Sequence, residues 1–438
     1  SSEYKPVEFG SYLPRSMVIG MTEELTSKDV ARMYRDYINP DLARVMRITG
    51  LGTVEDHAKG SYVWDITGKK YLDMAGGYGV FCVGHSHPHV IAAVEKQLHK
   101  MSLSAKVFFT EAQARLAKKL AEITPGDLQY TFFCNSGTEA VEGALKIARL
   151  ATGRTTFVAM NNAFHGKSTG GLAVSGRPNY RDPFEPLMPE VRHIPFGDVK
   201  ALEDAVDETV SAVIVEPVQG EGGIHVAPDG YMQRMREVCD QHGALLIADE
   251  VQTGFGRTGK MFAVNHWNVT PDILVLAKAL SGGVLPIGAF VGTPRVWSAF
   301  KGRPTIHTST FGGSPLACTA GLATLEVYEQ EDLCRKSAES GAYFKAELEK
   351  LAAQYPDLIK EVRGLGLLLG LESVKEEYAG SIISEMSHRN IIAVYTLNQP
   401  KVIRFEPALA IAREDIDLCL KALAESLAKS RELFAGRA

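Results

Sequence analysis

Short apolar runs that do not alternate with polar residues recur along the middle of the chain, separated by stretches with helical spacing. YTFFCN (130–135), TTFVAM (155–160), SAVIVEPV (211–218), ALLIADEV (244–251), ILVLAKAL (273–280) and IGAFVGT (287–293) read as strands buried on both faces. EAVEGALKIARLA (139–151) and MQRMREVCDQHG (232–243) read as helices, and Gly243 stands where a helix C-cap is expected. This β/α alternation predicts a mainly parallel sheet covered by helices.

After Gly321 the pattern changes. One long helical periodicity runs from Leu322 to about Tyr355. It is followed by the strand-like LGLLLGLES (365–373), a helix over EYAGSIISEMSHR (377–389), short strands IIAVYT (391–396) and KVIRFEP (401–407), and a closing helix EDIDLCLKALAESLAK (414–429). The expected organisation is α/β: a large domain over 71–324 with a mainly parallel sheet, and a smaller α+β domain over 325–438. The N-terminal segment 1–70, with its hairpin-like VWDITGKKYLD, is expected to join the smaller domain. No internal repeat or low-complexity run is visible.

Composition narrows the function classes. A chain of 438 residues with 45% hydrophobic and 23% charged positions is an ordinary globular sequence with a sizeable core. A formal net charge of -5, evenly spread, is no electrostatic footprint for nucleic acid or an anionic membrane. Six scattered cysteines without a CxxC pair suggest reduced thiols, not a disulfide framework or zinc knuckle. SSEYKPVEFGSYLPRS lacks the pattern of a signal peptide, and no window approaches a membrane span, so a soluble, cytoplasmic protein is expected.

Three segments carry candidate chemistry. In CNSGTEAVEGALK (134–146) a strand runs straight into a helix, so that Ser136, Gly137 and Thr138 either cradle an anion at the helix N-terminus or simply cap it. In LLIADEVQTGFGRTGK (245–260), Asp249 and Glu250 end a strand at the edge where open α/β sheets bind ligands, and a buried carboxylate there needs a cation. Lys278 is the one basic residue in ILVLAKALSGG: either it snorkels to water or, desolvated, it has a lowered pKa and forms a Schiff base with a carbonyl. An anion cradle, a buried acid and a buried lysine match the phosphate, pyridinium nitrogen and aldehyde of pyridoxal 5'-phosphate (PLP).

Those segments, together with AFHGKSTG (163–170), VEPVQGEGG (215–223), LAKALSGGVLPIGA (276–289), HTSTFGGSPLAC (307–318) and IRFEPAL (403–409), resemble the class III PLP-dependent aminotransferases of fold type I. The resemblance runs from about Tyr62 through nearly the whole remaining chain and is nearest to putrescine (diamine) aminotransferases. It implies that Lys278 holds the cofactor covalently and shuttles the proton, and that Asp249 pairs with the pyridinium. It implies a phosphate site of Gly137 and Thr138 joined by Thr310 from a neighbouring subunit, Phe164 and Val251 on the two ring faces, and Gln252 at the ring hydroxyl. It also implies a homodimer or dimer of dimers with shared sites. The expected reaction moves an amino group from a primary amine, a diamine such as putrescine or cadaverine, to 2-oxoglutarate or pyruvate. Ornithine, acetylornithine, 4-aminobutyrate or broad amine:pyruvate activity are the alternatives within the family. A mutase, a decarboxylating or racemising enzyme, and a catalytically dead PLP-binding regulator are the rivals outside it. Arg404 would take a substrate carboxylate and Glu221 would pair with it when none is present; Tyr78 and Phe81 would wall the substrate entrance.

Other signals resolve to blander readings. GFGRTG (254–259) fits a dinucleotide fingerprint but no convincing helix follows it. The GKS at Gly166–Ser168 lacks the first glycine of a P-loop. HSHPH (85–89) offers alternate histidines, but Pro88 interrupts any strand and no further ligands complete a metal set. Glu142 reads as a structural hydrogen-bonding residue, and KAELEK (345–350) as a solvated helix face.

Overall fold

The computed structural model describes residues 25–48 and 52–435. SSEYKPVEFGSYLPRS therefore lies outside the described residues. The central element is a seven-stranded sheet of β1 (Tyr130–Cys134), β2 (Thr156–Met160), β3 (Val191–Ile194), β4 (Val210–Val215), β5 (Leu245–Asp249), β6 (Ile273–Leu276) and β7 (Gly288–Gly292). Its order is β1-β7-β6-β5-β4-β2-β3, and only β7 runs antiparallel to its neighbours.

The apolar runs are continuous because both faces are covered. Val158, Met160, Val213, Val215, Leu246 and Ala248 point into one core, which includes Met232, Met235 and Val238 of the helix Tyr231–His242. The residues between them, Phe157, Ala159, Ala212, Ile214, Leu245 and Ile247, point into a second core with Ala140, Ala144 and Ala148 of the helix Gly137–Thr152. That helix is delimited locally: Ser136 Oγ accepts from the Glu139 amide, and Gly153 closes it at φ 70°.

Two further four-stranded sheets complete the chain. Glu55–Lys59, Tyr62–Asp65 and Lys70–Asp73 form an antiparallel meander to which Ile391–Ile392 adds in parallel, so segments from both ends of the sequence share a sheet. Ile359–Leu365, Leu368–Ser373, Val402–Phe405 and Val394–Tyr395 form the other.

The structure departs from the sequence expectations at definite places. The single helix expected over 322–355 is two, Pro315–Gln330 and Leu333–Ala352, broken at Asp332, whose φ of 50° cannot continue a helix. Strands Val191–Ile194 and Ile359–Leu365 were not anticipated; both are mixed polar and apolar, and the second turns into its partner through Gly366 at φ 54°. The run 273–280 is strand only to Leu276, and Lys278 opens a short 3₁₀ turn.

The glycine-rich GFGRTG folds as a tight loop around its own arginine. Gly256 and Gly259 adopt φ of 76° and 91°, and Arg257 is fully buried. Its guanidinium donates to the carbonyls of Leu367 (2.9 Å) and Pro407 (2.7 Å) and to Cys82 Sγ (3.2 Å), while its own carbonyl accepts from Leu367 N and Ser337 Oγ. One side chain thus joins four separate stretches of chain. Arg257→Ala is expected to strand these carbonyls beside a cavity and destabilise the protein by about 3 kcal/mol or more. Urea unfolding followed by tryptophan fluorescence measures this, and a loss under about 1 kcal/mol would show that the loop is held by other contacts.

Candidate active site

The parallel strands deliver their functional residues at one edge, the C-terminal one, where open α/β sheets bind ligands. There they line a cavity of about 640 Å3, within the range of about 300–1,000 Å3 usual for small-molecule sites. Ser136, Gly137 and Thr138 follow β1, Phe164 and His165 follow β2, and Glu216 follows β4. Asp249 ends β5 with Val251 and Gln252 just beyond, and Lys278 lies two residues past β6.

At the first of these positions the amides of Gly137 and Thr138 open a sixteen-residue helix and meet no acceptor among the described residues. Space for an anion is kept by missing side chains: a Cβ at Gly137 would stand 3.0 Å from Val251 Cγ1, and one at Gly166 would stand 2.2 Å from Thr138 Oγ1. Thr138 Oγ1 is 2.6 Å from Ser168 Oγ, which fixes the hydroxyl at the cavity wall.

Asp249 is buried, with Oδ1 accepting from Val251 N (3.0 Å) and Oδ2 only 2.7 Å from His165 Nδ1. Burial alone would disfavour protonation of His165, but the hydrogen bond and charge of Asp249, with the charge of Glu216, outweigh it and raise the pKa. Glu216 is buried behind this pair, accepts from the amides of Phe164 and Gly220, and is lifted by burial to about 7. Glu250 meets no cation among the described residues, contrary to the expectation that a buried acid here requires one. It is satisfied instead by Thr253 Oγ1 (2.6 Å) and the amides of Ala263 and Val264, and burial lifts it to about 7.

Lys278 makes no hydrogen bond or ion pair with any described residue, although the cavity is lined by Asp249 and Glu216. Desolvation lowers its pKa, against the opposing pull of Glu406, Glu221 and Asp249. Its backbone φ is 43°, in the left-handed region that costs a lysine about 1–2 kcal/mol.

Beside the cavity, Arg404 on the strand Val402–Phe405 is fully buried and 2.6 Å from Glu221 Oε1. Burial opposes charge on both, but Arg404 and Lys278 together hold Glu221 below its ordinary pKa, and Glu406 and Glu221 hold Arg404 above its own. Gln252, which also lines the cavity, donates to Glu406 Oε2 (3.1 Å).

Three expected residues sit elsewhere in the single chain. Thr310 is exposed and does not line this cavity. Tyr78 stands half exposed over the Arg404 guanidinium, 5.2 Å from ring centre to carbon, and Phe81 packs on His85; of that loop only Val80 reaches the cavity wall. His85, His87 and His89 face separate carboxylates, Asp73, Glu331 and Glu326. Glu142 accepts from the amides of Gly170 and Gly171, a structural role.

His165, Glu216 and Glu406 were missed by sequence reasoning. His165 adjoins Phe164 in a segment already singled out, and a polar residue ending a buried strand was the available signal for Glu216; Glu406 had only its place two residues after Arg404.

A seven-stranded sheet of this order, with a lysine and an acid at the C-terminal ends of adjacent strands, defines an enzyme of PLP fold type I. The class-III aminotransferase family model matches residues 49–427. Among solved structures, the ornithine aminotransferase of Toxoplasma gondii is 33% identical, with a TM-score of 0.87 over 94% of this chain and 97% of that one. An (S)-enantioselective omega-transaminase from Thermomicrobium roseum is 30% identical, with a TM-score of 0.86 over 93% and 100%. An amine transaminase from an uncultivated Pseudomonas species, solved in its PLP-bound form, is 31% identical, with a TM-score of 0.79 over 86% and 95%. The chain belongs to the class-III aminotransferases, enzymes that use PLP. Among the described residues no helix is long and apolar enough to cross a membrane.

Proposed function

We propose that this aminotransferase takes its amino group from a diamine such as putrescine or cadaverine and passes it to 2-oxoglutarate or pyruvate. The observation that carries this reading is the Arg404–Glu221 pair. Arg404 is the fixed cation suited to a carboxylate, and here an internal carboxylate already occupies it at 2.6 Å in a dry setting. The resting pocket is thereby neutralised for a donor that brings no carboxylate of its own. A second reading, an ornithine donor, is favoured by the likeness to ornithine aminotransferase.

The residues divide the work. PLP, when bound, supplies an aldehyde for the amine and a ring that accepts the electron pair of the C–H bond being broken. The Gly137 and Thr138 amides and the Thr138 hydroxyl would hold the phosphate, with Ser136 capping the helix beneath. Asp249, fixed by His165, would keep a proton on the ring nitrogen. Phe164, Val251 and Gln252 would hold the ring. Lys278 would hold the aldehyde, and its Nζ would carry the proton; desolvation favours the neutral form this requires. Glu221 swings from Arg404 when a keto acid brings its carboxylate, and Tyr78 and Phe81 form the entrance beside them.

The active form in this reading is a homodimer or a dimer of dimers. Val107, Phe108, Phe109 and Phe311 are largely exposed in the single chain, and Lys106 Nζ ties the two segments together by donating to Gly312 O (2.7 Å). A second chain covering this patch would carry its Thr310 towards a phosphate site that the chain's own Thr310 does not line. The free thiols, Cys82, Cys134, Cys239, Cys318, Cys334 and Cys419, support a reducing, cytoplasmic setting.

A donor panel of putrescine, cadaverine, ornithine, 4-aminobutyrate, β-alanine and 1-phenylethylamine, run with both acceptors, is expected to give its highest kcat/KM with a diamine. Lys278→Ala is expected to abolish turnover while PLP is retained noncovalently. Turnover persisting in that variant, or borohydride fixing PLP to another lysine, would refute the assignment. In single-turnover kinetics, Arg404→Ala should slow the keto-acid half-reaction about 10- to 100-fold more than the amine half, given the worth of a charge-assisted pair. Equal losses in both halves would count against the gate. Mixing Lys278→Ala and Thr310→Ala chains should yield hybrids with one intact site and ordinary PLP retention, whereas hybrids lacking any intact site would mean the site is not shared.

A further inference from the structure

The charges around Arg404 do not balance. Two carboxylates, Glu221 and Glu406, face one guanidinium, and all three residues are buried. Glu221 is fully engaged: Oε1 takes Arg404 Nη1 at 2.6 Å and Oε2 accepts from Leu397 N at 2.8 Å. Glu406 is not. Its Oε2 accepts from Gln252 Nε2 at 3.1 Å and lies 3.1 Å from Arg404 Nε, close but poorly aligned for a hydrogen bond. Its Oε1, fully buried, has no hydrogen-bond partner among the described residues.

An orphaned carboxylate oxygen in a dry site is costly, and retaining one calls for a partner that arrives with the ligand. Gly79 lies against this oxygen without a side chain: a Cβ there would come to 3.2 Å from Oε1. The site is also within reach of the chemistry. Gln252, which holds the other oxygen, lines the cavity of Lys278, and among the charges acting on Lys278 that of Glu406 is the strongest.

We propose that Glu406 binds the distal ammonium of the amine donor, making it the residue that selects a diamine over a monoamine. This rests on the diamine reading given above. Arg404 and Glu221 then answer for the carboxylate of the acceptor, and Glu406 for the second amine of the donor. One pocket thus serves two differently charged substrates.

The test compares putrescine with 1-aminobutane, equal in length and differing only in the second amine, in the wild-type holoenzyme and in Glu406→Gln. The amide preserves the shape and a hydrogen-bonding oxygen but not the charge. The wild type should favour putrescine in kcat/KM by about 10- to 100-fold, the worth of one charge-assisted hydrogen bond. In Glu406→Gln that preference should fall to about unity, putrescine losing about 10- to 100-fold more in kcat/KM than 1-aminobutane. A wild type that shows no preference overturns both the diamine reading and this one. A preference that survives in Glu406→Gln overturns the role of Glu406 alone, as does equal loss for both amines, the signature of a structural ion pair. Should Glu406→Gln fail to fold, Glu406→Asp decides: it retracts the charge by one methylene and should shift the best donor from putrescine to cadaverine, while an unshifted optimum refutes the proposal.

Discussion

Two neighbouring parallel strands end in the charges on which the site depends. β5 closes on Asp249 and is registered with β6 so that Asp249 lies beside Val275, three residues before Lys278. That register is fixed by the core on each face of the sheet: slipping either strand by one residue would exchange its two apolar sets and turn each toward the wrong helix layer. The separation of acid and lysine is therefore set by packing far below the cavity, among side chains that never meet a ligand. His165 locks the acid from one side, while Lys278, two residues past the end of its strand, pairs with no described residue.

Much of this was legible in the sequence, for identifiable reasons. Continuous apolar runs announced the strands buried on both faces, and Gly243 and Ser136 announced helix ends by local chemistry alone. Asp249 and Lys278 stood out because charge in an apolar run must have a purpose. Strands carrying polar residues, such as VRHI and IKEVRGL, gave no such contrast. The break at Asp332 was invisible because helical spacing resumes on its far side. His165, Glu216 and Glu406 stayed hidden because each has a partner 84, 52 or 154 residues away, a distance that no local pattern reports. GFGRTG shows the converse hazard: a phosphate-binding pattern can arise because glycines are needed to let backbone close around a buried arginine.

The electrostatics fall into two compartments. Around the acid, Asp249, His165 and Glu216 lie buried together, and the charges of the two carboxylates raise the pKa of the histidine against its burial. Around the guanidinium, Glu221 takes Nη1 of Arg404 and Glu406 lies beside Nε, itself held by Gln252. Lys278 lies between the two and feels both, which is how one amine can be biased toward its neutral form by burial yet remain within the field of three carboxylates.

The backbone of Lys278 carries a further meaning. A left-handed φ is a conformation that glycine adopts freely and asparagine tolerates, so position 278 sets chemistry and folding against each other. With the role proposed for Lys278, lysine would be kept there only while turnover is under selection. In a descendant released from catalysis, drift to glycine or asparagine would relax the turn and strengthen the fold. Loss of this lysine in a paralogue would thus mark a change of occupation rather than decay, leaving behind a sturdier protein with the same cavity.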